Sequence, residues 1–109
     1  MRRAAWLLWL WSIAGVAPAA DMFSVGPELW DRPRSARAVS EQPAVAQAVA
    51  GYLAQPGAQL VIHHAVAPES ALQAGELRVW LMALAVDAAR VRLLDDLPPG
   101  RPLALEVAQ

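Results

Sequence analysis

Beyond position 20 the clearest pattern is Gln59 to Val66 (QLVIHHAV), a nearly continuous apolar run rich in β-branched residues. Such a run predicts a central strand covered on both faces. Upstream, Val45, Val49 and Leu53 recur at four-residue steps with Tyr52 beside them, the spacing of one helical face. Ser40 stands where it can cap that helix, with Glu41 in the first turn and Pro43 near the start, and Gln55-Pro56-Gly57 ends it. Downstream, Pro68-Glu69 opens a second helix running to about Val86. Its core stripe is Ala74, Leu77, Leu81 and Leu84, with Trp80 on the shoulder and Gln73, Glu76 and Asp87 on the wet side. Arg90 to Leu94 (RVRLL) and Leu103 to Val107 (LALEV) alternate as half-buried strands do. The intervening Asp95 to Pro102 (DDLPPGRP) is dense in turn residues and stands where a hairpin connection belongs. Asp21 to Gly26 reads as a short first strand, and Glu28 to Arg37 as a loop with one helical turn.

The order strand, helix, strand, helix, strand, strand implies an α+β fold, a small mixed β-sheet with two helices packed on one face. A strand–helix–strand unit crosses over right-handed and gives parallel neighbours. No repeat interrupts this order. The chain therefore divides into residues 1–19, discussed next, a strand and loop segment over 20–42, and an α/β core over 43–109, the last two forming one domain.

The first residues follow a different rule. Met1-Arg2-Arg3 is cationic, Ala4 to Val16 is an uncharged apolar run, and Ala17-Pro18-Ala19 is a small-x-small site, together the pattern of a secretory signal peptide cleaved after Ala19. The run is shorter than the roughly 20 residues a bilayer-spanning helix needs. Export to the periplasm by the general secretory route is expected, with no stable membrane span after cleavage. Trp6, Trp9 and Trp11 leave with the leader.

Composition narrows the chemistry. Arg2 and Arg3 account for two of nine cationic residues, so seven Arg face ten Asp and Glu after cleavage and the remainder carries −3. That charge lacks the footprint of phosphate-backbone binding, and nucleic acid is not an expected partner. With no Cys in the chain there is neither a disulfide nor a lipid-attachment thiol. Beyond the leader there is no Lys, Thr or Asn either, which removes several nucleophiles and amide donors at once.

His63 and His64 invite an acid–base or metal reading, but adjacent strand residues point to opposite faces, and no HExxH spacing or third histidine accompanies them. No metal and no cofactor is expected. Ser24, Ser35, Ser40 and Ser70 lie in no nucleophile elbow, and Asp95-Asp96 beside a Pro-Pro-Gly turn reads as solvated acid. Trp30, among charged loop residues, is the aromatic best placed for a partner contact.

Three stretches carry a family likeness. They are a helix ending in Tyr52-Leu53-Ala54-Gln55-Pro56-Gly57, a strand Leu60-Val61-Ile62-His63-His64, and a helix containing Leu77-Arg78 and Trp80-Leu81. Over roughly Met22 to Val107 the chain resembles the OmpA-like domain, a periplasmic module whose typical members bind peptidoglycan. The resemblance implies that Arg78 stands where the family arginine grips the carboxylate of diaminopimelate. The family aspartate has no counterpart, since Ala65-Val66-Ala67 follows His64, and Glu69 is the substitute acid. Tentative ligand residues are thus Arg78, Glu69 and His64. The expected function is a non-catalytic periplasmic interaction or envelope accessory domain. The alternatives are peptidoglycan binding through Arg78 and a substitute acid, and a small hydrolase or metal enzyme using His63 or His64.

Overall fold

The computed structural model describes residues 21–109; the leader expected over residues 1–19 lies outside the described residues. The fold is α+β. Four strands, β1 (Asp21–Ser24), β2 (Gln59–Ala65), β3 (Val91–Leu97) and β4 (Ala104–Ala108), form one mixed sheet in the order β1-β4-β2-β3. β4 runs antiparallel to both β1 and β2, whereas β3 runs parallel to β2. Three helices, α1 (Ala36–Glu41), α2 (Pro43–Ala54) and α3 (Pro68–Ala83), connect them, with 3-10 turns at Pro27–Asp31 and Ala88–Arg90.

β2 is the central strand that its composition implies: every residue from Leu60 to Ala65 is buried. Leu60 and Ile62 join Leu105 and Val107 of β4 beneath the helices, in one core with Val45, Ala48, Ala74, Leu77 and Leu81. Val25, Leu29 and Val39 enter the same core, so the 20–42 segment is part of the hydrophobic interior. At Gly51 α2 crosses β4 so closely that a Cβ would lie 3.0 Å from a methyl of Val107.

Several local expectations are corrected. Ser40 does not cap the helix that follows. It lies inside α1, its hydroxyl donating to the Arg37 carbonyl, while Ser35 caps α1 by accepting from the Ala38 amide. The helix breaks at Gln42, which is extended because the residue before a proline avoids helical backbone, and α2 restarts at Pro43. The buried face of α2 is Ala44, Val45 and Ala48; Leu53 is 72% exposed. No hairpin joins the last two strands. β3 extends through Asp95 and Asp96, and its connection to β4 passes over β2, which lies between them.

Candidate functional site

The alternation of β2 sends His63 and His64 to opposite faces of the sheet. His63 lies on the face without helices, buried, between an acid from each neighbouring strand. Its Nδ1 donates to the Asp96 carboxylate at 2.8 and 2.9 Å, and its Nε2 donates to Glu106 Oε1 at 2.7 Å. While both acids are ionised they can only accept, so this geometry is the one that suits an imidazolium with a proton on each ring nitrogen. Burial by itself pushes His63 down, but the hydrogen bonds to Glu106 and Asp96 and their charges outweigh it and leave the group above its ordinary 6.5. A doubly protonated ring is neither a general base nor a metal ligand. The two acids lie at opposite ends of the ring, and among the described residues no three His, Asp or Glu side chains converge as metal ligands. Among the described residues no serine hydroxyl is hydrogen-bonded to His63.

His64 is buried and donates from Nδ1 to the carbonyl of Ala65 at 2.8 Å, which fixes its ring at the strand end. Ser70 completes that end, its hydroxyl accepting from the Ala65 amide at 2.9 Å. Neither residue is arranged as a nucleophile–base pair.

The sequence joins Arg78 and Glu69 as one ligand site; the structure separates them. Nine positions along α3 correspond to about 13.5 Å of rise and a half-turn in direction, so the two leave opposite sides of the helix. Arg78 turns toward the Ala88 carbonyl, 3.4 Å from Nη2. Glu69 instead lines two adjoining clefts, of about 290 and 260 Å³, at the start of α3. They share Pro27, Glu69, Gln73 and Pro102; the first adds Ser70 and Arg101, the second Trp30 and Asp31. Arg101, lost to sequence reading inside a Pro-rich turn, is thus the cation that shares a cleft with Glu69. His64 lines neither cleft.

Trp30 is not a protruding aromatic. It packs half-buried against the core, with the Arg34 guanidinium 5.4 Å above its ring. Arg34 forks onto Glu76 at 2.7 and 3.1 Å, and the Trp80 indole donates to the same carboxylate at 3.0 Å. Those bonds, led by Arg34, hold the Glu76 carboxyl below its ordinary range. Glu76 is therefore no solvated residue of a wet face; it fastens the loop before α1 to α3. Sequence reading could not pair residues 42 positions apart.

No family model matches the chain, and no curated protein or solved structure matches it. Among the described residues no helix is long and apolar enough to cross a membrane.

Proposed function

We propose that the protein is a non-catalytic accessory domain of the cell envelope, exported to the periplasm, with a divergent OmpA-like fold. The observation that carries the non-catalytic reading is His63: the one histidine with acid partners has both ring nitrogens engaged and, among the described residues, no nucleophile beside it. The strand–helix–strand–helix–strand–strand order of the main elements supports the likeness. The engagement of Arg78 with Ala88 argues against the family's ligand arrangement.

A second reading, peptidoglycan binding at a rebuilt site, is favoured by the paired clefts. There Arg101 supplies a donor fork and Glu69 and Asp31 supply acceptors, the complement of a group carrying both carboxylate and ammonium. Co-sedimentation of chain 20–109 with peptidoglycan sacculi separates the two. The expected result is background retention, unchanged by Arg78→Ala. Retention lost in Arg101→Ala or Glu69→Gln would replace the accessory reading with the rebuilt site, and retention lost in Arg78→Ala would restore the family site.

A further inference from the structure

β3 is an edge strand. One side pairs with β2, and among the described residues nothing pairs with the other. An open seven-residue edge is a template for another strand. Edge charges ordinarily deter such pairing, but along Val-Arg-Leu-Leu-Asp-Asp-Leu they are self-complementary in one antiparallel register. With a two-fold axis through Leu94, Arg92 lies opposite Asp96 of the second copy, and Asp96 opposite Arg92 of the second copy. Leu94 meets its own equivalent between them. All three stand on the sheet face without helices, as Asp96 shows by reaching His63. Asp96 keeps half of its side chain exposed beside that bond, and Arg92 is exposed with no ion-pair partner among the described residues. Opposite charges placed directly across a strand pair stabilise it.

The helical layer carries a second, independent sign on the same side of the molecule. α3 packs over β2 and β3. Besides its core stripe it bears an outward one at helical spacing: Leu72 is 75% exposed, Val79 61% and Met82 40%, with Gly75 among them. Gly75 weakens the middle of α3 by about 1 kcal/mol relative to alanine. Nothing among the described residues requires it, since a Cβ there would meet none of their atoms within 4 Å. On the flank of this stripe Arg78 turns toward Ala88, just before β3, so the Gly75 and Met82 side of the stripe lies toward the β3 edge, while Leu72 and Val79 face away from the sheet. With each α3 seated between β2 and β3, strands spaced about 4.8 Å apart put the α3 helices of two β3-joined copies about 10–11 Å apart. That is the separation of packed helices, where a glycine permits close approach.

We infer that this chain pairs with a second copy of itself through antiparallel β3 strands, giving a continuous eight-stranded sheet with the two α3 helices packed across the junction. The Arg92–Asp96 pairs set the register, and the Gly75 and Met82 flank of α3 supplies the helix contact.

Sedimentation equilibrium of the exported protein over a range of concentrations is the test. The expected result is a reversible dimer that high salt weakens and that Arg92→Asp weakens by about tenfold or more, with the melting temperature of the dilute monomer unchanged. Because the chain has no Cys, Leu94→Cys reads the register directly. At the two-fold axis its Cα atoms come within disulfide range, and it should cross-link to itself, whereas Arg92→Cys, about four strand residues from its own equivalent, should not. A wild-type monomer at every concentration, or equal cross-linking of the two variants, would overturn the inference.

Discussion

With Asp96 and Glu106 accepting from its two ring nitrogens, His63 ties part of the domain's stability to one proton. The folded-state group titrates above the ordinary 6.5 that the unfolded chain retains. Its contribution is therefore complete below about pH 6.5 and is lost as pH rises through the folded value. His63→Gln should cost about 1–3 kcal/mol in urea denaturation under mildly acidic conditions, the scale for leaving buried partners unsatisfied. The difference from wild type should narrow as pH rises; a constant difference would remove the proton from the explanation. That the two histidines face opposite ways was legible from strand geometry. The partners of His63 were not, because they lie 33 and 43 residues away and Asp96 sits in a dipeptide that resembles turn composition.

At the scale of elements, helix ends and faces repay separate attention. α3 stops at Leu84, and the next residue, Ala85, takes φ 76, a left-handed conformation that suits glycine. Ala85→Gly should raise stability by about 0.5–1 kcal/mol in equilibrium unfolding, since the glycine adopts that backbone without steric cost. The core stripe of α3 was readable because large apolar residues mark it. The core face of α2 was not: its buried positions are mostly small, Ala44 and Ala48, so the larger Leu53 misled the periodicity. Leu81→Ala should accordingly cost about 2–5 kcal/mol, and Leu53→Ala within about 0.5, measured by the same denaturation. Similar losses for both would contradict the assigned faces.

Across the whole molecule, β2 ties the described residues into one sheet, pairing with β3 on one side and β4 on the other while the helices cover one face. Fold class followed from the order of elements, and the burial of β2 from its unbroken apolar run. Sheet order did not follow, because proximity in sequence favours pairing the last two strands and only the three-dimensional sheet shows β2 between them. The candidate site was illegible for the same reason. Glu69 and Arg101 share a cleft because the β3–β4 connection returns past the start of α3, whereas Arg78, marked by family position, turns away along the helix.

The non-catalytic reading rests on the state of one ring, and nitrogen-resolved NMR of His63 in the folded protein observes it directly. Both Nδ1 and Nε2 should be protonated below a titration midpoint that lies above 6.5. A neutral ring with one free nitrogen at pH 7 and a midpoint below 6.5 would contradict it, and would return His63 to the candidates for a general base.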